Sequence, residues 1–273
     1  MLKNSIHPTW SQIALGAKIA AITLFTLALF HQDLTILFSD ALRNETTSHL
    51  LIIPALFTYL IYRKRKMLRA VAPVENKTEP KETRHIPLIC GILLSITAIL
   101  LYWHGSYTFT PIEYHMLALL IFVAGLSLIL FNPQTLRQLL FPIAFLMFLV
   151  PPPSEILFAV GATLSVVSSL TSNAIINAVG IPSTLTGEYG TPIITITRPD
   201  GTTIPFTVDI ACSGIYSLMG FLIFIAFVAY ITRDKPWKKL ALVILGIPLV
   251  YLLNIIRITI ILMIGYHYGE QLA

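Results

Sequence analysis

Charge is what this sequence has least of. Lysine, arginine, aspartate and glutamate together make up 11% of its 273 residues, under half of the roughly 25% usual in a soluble domain. Hydrophobic residues make up 56%, and they fall in long runs of the kind that cross a bilayer. A soluble enzyme or a disordered chain is thereby excluded. Cysteine is the next scarcity, with only Cys90 and Cys212. The two are expected at different membrane depths, so no disulfide joins them, and Cys90, inside an apolar run, reads as a packing residue. There is no CxxC pair and no His/Cys cluster at zinc spacing, so neither a metal site nor a cofactor is expected. The first apolar run starts near Trp10 and lacks a small-residue cleavage site, so no cleavable signal is expected. Internal repeats of the transporter kind are also missing. The net charge of +5 is not the footprint of a nucleic-acid partner, because the basic residues gather in loops.

What is present reads as an all-α polytopic membrane protein with about seven to eight transmembrane helices, one integral membrane domain over 1–273. Spans are expected at 12–38, 47–62, 86–103, 113–131, 137–151, 213–231 and 238–266, the second and fifth being short. Residues 67–85 are polar and proline-bearing and read as a flexible cytoplasmic loop. Arg63, Lys64, Arg65, Lys66, Arg69, Lys77, Lys81 and Arg84 lie in one connection, and Arg233, Lys235, Lys238 and Lys239 in another. With Lys3 and Arg137 they set one face as cytoplasmic by the positive-inside rule, against Arg43 and Arg198 on the other. The 181–211 loop is then extracytoplasmic.

A helix is expected at 154–179, with Ser165, Ser168, Ser169, Ser172 and Asn173 as a polar stripe at helical period. A spanning helix there would move the 181–211 loop to the other side. The helix is therefore read as lying at the outer interface or lining a wet cavity, with a spanning helix packed through small residues as the alternative. Within the 181–211 loop, the runs Pro192–Thr197 and Thr202–Val208 flank Arg198-Pro199-Asp200-Gly201. That is a hairpin signal, because proline and glycine supply the turn angles and Asp bonds its own backbone. A small extracytoplasmic β-hairpin would deliver the chain to Cys212.

Chemistry concentrates in Ala211-Cys212-Ser213-Gly214 at the start of the apolar run that follows. A thiol at a helix N-terminus faces the positive end of the helix dipole, which favours the nucleophilic thiolate. Small neighbours leave room for a substrate backbone, and Ser213 is a candidate for positioning it. A small apolar filler at a helix start is the competing reading of Cys212. The next apolar helix carries Asn254-Ile255-Ile256-Arg257. An arginine inside hydrocarbon is costly and marks function, unless it snorkels to the headgroups. Arg257 falls near the depth of Cys212 and would hold the thiolate or an oxyanion, with Asn254 on its face to orient it or the substrate. His267 and His49 are further catalytic candidates. His267 lies about 15 Å along the helix from Arg257, a poor partner unless the helix ends first. His49 is a base candidate or an interface residue. Asp209 reads as a cap.

These residues resemble the exosortase/archaeosortase membrane cysteine transpeptidases. Ser48-His49-Leu50-Leu51-Ile52-Ile53-Pro54 is similar to the family's Ser-His-Gly-x-x-Ile-Pro segment, with Leu50 in place of glycine. Phe141-Pro142 through Pro151-Pro152-Pro153 is similar to its proline-rich helix. Ala211-Cys212-Ser213-Gly214 with Ser217-Leu218, and Asn254-Ile255-Ile256-Arg257-Ile258, match the nucleophile and arginine motifs. The resemblance implies Cys212 as nucleophile and Arg257 as its partner, with a third histidine or arginine on a further helix. The sequence ends at Ala273 ahead of such a helix, so a C-terminal truncation is expected. The implied partners are secreted proteins bearing a C-terminal sorting signal, with a membrane lipid as acceptor at the cell surface. A cysteine protease that releases its substrate, and a transporter or scaffold without catalysis, are the competing functions.

Overall fold

The structure is a computed structural model that describes residues 10–44, 46–74, 85–188 and 191–269. Two compact units divide the chain, one up to Pro151 and one from Pro152. Eight α-helices and a three-stranded sheet are present among the described residues, as expected of an all-α polytopic membrane protein. Five helices are long and apolar enough to cross a membrane, and Ile215–Ile231 is a shorter apolar helix.

The first unit holds α1 (Trp10–Arg43), α2 (Ile52–Val74), α3 (His85–Gly105), α4 (Pro111–Leu130) and α5 (Pro133–Phe145). Short 3₁₀ turns at Ser48–Leu51 and Leu146–Leu149 precede α2 and follow α5. Helix starts follow local chemistry. Pro111 and Pro133 occupy first-turn positions, where no backbone N–H is missed. Asn132 Oδ1 accepts from Thr135 N at 2.8 Å and from the Thr135 hydroxyl at 2.7 Å. The helices α3 and α4 meet through glycines. A Cβ placed on Gly91 would stand 2.9 Å from the Gly125 carbonyl oxygen, and one on Gly125 would stand 2.9 Å from that of Gly91. Such close backbone approach is the usual means of helix packing where lipid removes the hydrophobic drive.

Two boundaries and one side chain differ from the sequence reading. Helix α2 does not stop at 62 but runs to Val74, so 67–74 is helical rather than part of a flexible loop. Its basic residues are good helix formers and continue the helix once nucleated. Residues 75–84 of that expected loop lie outside the described residues. Helix α5 covers 13 residues, about 20 Å, well short of the 30 Å hydrocarbon layer. Cys90 is exposed on α3 rather than packed in a core. On an apolar spanning helix such a surface faces lipid.

The second unit holds α6 (Ser154–Ala178), β1 (Ser183–Glu188), β2 (Thr191–Thr197), β3 (Thr203–Thr207), α7 (Ile215–Ile231) and α8 (Pro236–Tyr268). The strands are antiparallel in the order β1-β2-β3. The expected hairpin is β2–β3, with Ile196 opposite Ile204 and Ile194 opposite Phe206. Its turn is closed by Arg198 N–H donating to Thr202 O at 2.8 Å, and Gly201 takes φ +82. Asp200 accepts from the Thr202 N–H and hydroxyl, and these bonds with Arg198 beside them hold its carboxyl below the usual range. Strand β1 is an addition. Its Thr- and Gly-bearing sequence carries no strong alternation, and pairing with β2 creates it.

One face of β2 is apolar, with Ile194 and Ile196 fully buried against Ile176 of α6 and Ile258 and Leu262 of α8. The hairpin tip is tied to α8, since Arg198 Nε donates to Tyr266 O at 3.0 Å in the helix's last turn. The serine stripe of α6 is not wet. Ser165, Ser168, Ser169 and Ser172 are all buried. Ser168 donates to the Tyr251 hydroxyl at 3.1 Å, and that hydroxyl donates to Leu164 O at 2.9 Å. Ser172 donates to Ile255 O at 3.4 Å. The interfacial reading of 154–179 is therefore corrected. At 25 residues α6 is long and apolar enough to cross a membrane, and its small polar residues form a packing seam with α8.

Candidate functional site

The segment from Val208 to Gly214 links β3 to α7. Asp209 caps a 3₁₀ turn over Ile210–Cys212, its carboxylate accepting from Ile210 N at 2.6 Å. Cys212 N–H donates to Asp209 O at 2.9 Å, and Ser213 N–H to Ile210 O at 3.1 Å. Gly214 then reverses the chain at φ +88 and begins α7. A side chain at this angle is strained. It would also collide, because a Cβ on Gly214 would lie 2.8 Å from Cγ of Asn254.

Two helices hold this turn in place. On one side, the Ser165 hydroxyl of α6 donates to Val208 O. Gly161 makes room for Ile210, whose Cγ2 would stand 2.6 Å from a Cβ there. On the other side, Asn254 Nδ2 of α8 donates to the Cys212 carbonyl at 3.0 Å. Asn254 is 4% exposed, and its Oδ1 is buried without a hydrogen-bond partner. The orientation of the amide follows from the bond, because a carbonyl can only accept. The structure thus joins Cys212 and Asn254 directly. Arg257, less than one helical turn further along α8, has an exposed side chain. Cys212 is half-buried, packing against the cluster of Val208, Ile194 and Ile258.

The other expected residues fall as follows. Ser213 is fully buried, its hydroxyl donating to Ile210 O at 2.6 Å and accepting from Ile215 N at 3.3 Å. Both bonds lie within the turn. His267 lies in the last turn of α8, exposed between Tyr266 and Tyr268, with ring centroids at 5.1 and 6.4 Å. The helix does not end before it, so the rise of about 15 Å from Arg257 stands. His49 belongs to the first unit, in the 3₁₀ turn before α2. Burial pushes its imidazole below the ordinary value of 6.5, against the opposing effect of a bond to the Thr46 backbone. No group of three or more His, Cys, Asp or Glu able to hold a metal occurs among the described residues.

Two small cavities flank the turn. One, of about 310 Å³, is apolar and lined by Gly214, Leu218, Pro248 and Tyr251 among others. The second, of about 40 Å³, opens beside Asp209 and Ile210, between Phe158 and Pro192.

The transmembrane exosortase model (Exosortase_EpsH) matches residues 41–273. The chain belongs to the transmembrane exosortase family. The match takes in the Cys212 turn, Asn254 and Arg257. No curated protein and no solved structure matches the chain. This exosortase is accordingly a multi-pass membrane protein of a family with a transpeptidase-type role on secreted proteins that carry sorting signals.

Sequence reasoning missed a buried polar cluster in the first unit. Asp33 of α1 and His115 of α4, each 6% exposed, approach to 2.6 Å through Oδ1 and Nδ1. Tyr102 of α3 donates to Asp33 Oδ2 at 3.0 Å and stacks on the His115 ring at 3.9 Å. Ser106 Oγ lies 3.1 Å from His115 Nε2. The order Ser–His–Asp invites a hydrolase reading, but the geometry stops there. Ser106 donates its proton to Tyr102 O, and the N–H groups of Ser106, Tyr107 and Thr108 all bond preceding carbonyls, leaving no oxyanion donor. The cluster ties three helices together. A carboxylate in the long apolar run of α1 was the available signal.

Asn254→Leu is expected to leave the Cys212 carbonyl buried and unpaired, at a cost of about 1–3 kcal/mol. Thermal unfolding in detergent should show the loss, and Asn254→Asp should recover little because a carboxylate cannot donate. An unchanged melting temperature in Asn254→Leu would remove the clamp.

Proposed function

We propose that this exosortase cleaves the C-terminal sorting signals of secreted proteins with Cys212 as nucleophile, and passes the new carboxyl end to a cell-surface acceptor, with a membrane lipid the expected one. The observation that carries this reading is the Asn254–Cys212 hydrogen bond. It locks the nucleophile motif to the arginine motif, so that Arg257 stands less than one turn from the residue gripping the Cys212 backbone.

The chemistry proceeds in two halves. The Cys212 thiol gives its proton to a base, and the sulfur adds to the scissile carbonyl carbon. Arg257 stabilises the oxyanion. Collapse breaks the C–N bond, the leaving amine takes a proton, and a thioester remains. An acceptor amine or hydroxyl then attacks the thioester, and the S–C bond breaks to restore the thiol. Asn254 Oδ1, buried and unpartnered, is the acceptor group that would take the Arg257 guanidinium or a substrate amide N–H. The apolar cavity beneath Gly214 suits side chains of the signal's apolar segment.

The orientation we infer puts this chemistry on the extracytoplasmic face. With α5 too short to cross and α6 long enough, seven crossings by α1 to α4 and α6 to α8 leave the 181–211 loop opposite the basic connections. The positive-inside rule is then kept without an interfacial α6.

His49 is the base candidate in the first unit. Burial keeps it neutral near pH 7, able to accept a proton. Its folded state resists charging, so as pH falls below 6.5 the unfolded chain binds the proton first and stability declines in that window. An NMR titration midpoint below 6.5 is expected, and one at or above 6.5 would contradict the burial.

The test of the reaction is to trap the thioester. Full-length protein is mixed with a reporter bearing a proline-containing motif, an apolar helix and a basic tail, quenched in acid, and digested. A reporter fragment on the Cys212 peptide, released by hydroxylamine, is expected. Processing with the adduct on another residue would overturn the assignment of Cys212.

A further inference from the structure

The three-stranded sheet has two edges, and the fold treats them differently. On β1 the backbone of Ser183 is capped by α6. Its N–H donates to Asn177 Oδ1 and its carbonyl accepts from Asn177 Nδ2, both at 3.1 Å, while its hydroxyl donates to Asn173 Oδ1 at 2.7 Å. β3 has no such cap. Its ladder to β2 runs through even-numbered residues. Arg198 N–H donates to Thr202 O at 2.8 Å at the tip, and Val208 N–H donates to Pro192 O at 2.9 Å at the other end. Ile196 opposite Ile204 and Ile194 opposite Phe206 lie between them. The alternation of an antiparallel pair therefore turns the backbone groups of Thr203, Pro205 and Thr207 away from β2. No described residue bonds these outward groups, and the three side chains are exposed. Pro205 lacks its N–H on the side where β2 does not need it. The free edge thus offers the N–H groups of Thr203 and Thr207 and three carbonyls.

This edge leads to the candidate nucleophile. At the tip Arg198 Nε bonds Tyr266 O, and beyond the other end Asn254 Nδ2 bonds the Cys212 carbonyl. Tyr266 and Asn254 are about 18 Å apart along α8. β3 therefore descends beside α8 and ends at Thr207, immediately before the Val208–Gly214 segment that carries Cys212. An extended peptide adds to such an edge through main-chain bonds. We infer that β3 binds the sorting signal as a fourth strand, parallel to β3. The residues ahead of the scissile bond then run from the hairpin tip down to Cys212, and the apolar segment behind it continues toward the apolar cavity lined by Gly214, Leu218 and Pro248. The direction follows from the order of the signal, whose motif precedes its apolar segment. An antiparallel peptide would carry that segment back up β3 toward the tip. The inference rests on the reading of Cys212 as nucleophile.

The test uses full-length protein in detergent and synthetic peptides with the reporter's proline-containing motif and apolar helix. Each peptide carries one backbone N-methyl group, placed at successive positions ahead of the scissile bond. The Cys212 thioester and kcat/KM are read for each. Losses of roughly tenfold should fall on alternate residues, because only every second N–H of an added strand faces its neighbour. Thr207→Pro removes one outward donor and should raise KM roughly three- to tenfold with kcat unchanged, the worth of one hydrogen bond. Thr207→Val, which keeps the donor, should match the wild type. In Cys212→Ala protein, Thr203→Cys should form disulfides with peptide cysteines farther from the scissile bond than those joined by Thr207→Cys. Losses without a two-residue period, or no losses, would overturn the added strand on the wild-type protein alone, and with the thioester still formed they would leave Cys212 standing. An unchanged KM in Thr207→Pro or disulfides in the reverse order would overturn it too. A wild-type protein that forms no thioester removes the reading of Cys212 and this inference with it.

Discussion

Cys212→Ala abolishes processing of a sorting-signal reporter, lowering the rate by about 10⁴- to 10⁶-fold as the loss of a nucleophile does in other covalent enzymes. The variant should still fold. Cys212 is half-buried at the edge of an apolar cluster, the bonds of its turn run through backbone atoms, and alanine fills the site with a small loss of packing. Reporter cleavage is read by immunoblot beside the amount of protein in the membrane fraction. Arg257→Gln supplies the comparison. It keeps the length of the side chain and removes the charge, so about 10²- to 10³-fold should be lost if the guanidinium meets an oxyanion. Arg257→Lys should restore part of it, because lysine keeps the charge without the fork. Processing that persists in Cys212→Ala at normal protein levels would return the chain to the transporter or scaffold reading.

Asp33→Ala destabilises the first unit, because it leaves the buried groups that bond the carboxylate without a partner, at a cost of about 1–3 kcal/mol for each. Two groups lose at once. His115 loses the carboxylate at 2.6 Å, and the Tyr102 hydroxyl loses its acceptor at 3.0 Å. Both deletions together should cost less than their sum, since removing His115 as well leaves no imidazole stranded beside the missing carboxylate. The measurement is a double-mutant cycle over Asp33→Ala and His115→Ala, read by unfolding in mixed detergent micelles. Additive losses would mean that the two side chains are not coupled. Reporter processing measured on the same variants separates stability from catalysis, because a cluster that only ties helices together should lower the amount of folded protein and not the rate per folded molecule.

The Cys212 turn shows how much of the site was legible in order along the chain. Ala211-Cys212-Ser213-Gly214 and Asn254-x-x-Arg257 stand out because small residues, a thiol and an arginine are conspicuous among hydrocarbon. The hairpin could be read for a similar reason, since Pro199-Asp200-Gly201 carries its own turn angles. Ser213 shows the limit. A hydroxyl beside a nucleophile looks like a substrate contact, and only the fold of the turn reveals both of its bonds to be internal.

By itself the sequence determined that the chain lives in a membrane, where β2 turns into β3, and which thiol and which arginine are candidates for chemistry. Each of these rests on neighbours within a few residues: apolar runs, a Pro-Asp-Gly corner, a four-residue motif. Tertiary structure decided everything that joins residues far apart in the chain. It buried the serine stripe of α6 against α8, where a period of three and four residues says only that one face is polar and not what covers it. It paired β1 with β2, whose edge needed hydrogen-bond partners. It brought Asn254 to the Cys212 carbonyl and Asp33 to His115, across separations of 42 and 82 residues. A single sequence carries no signal for such pairs, because each partner looks alone like a costly polar group in hydrocarbon. Its cost is removed only when the fold supplies the other half of the hydrogen bond.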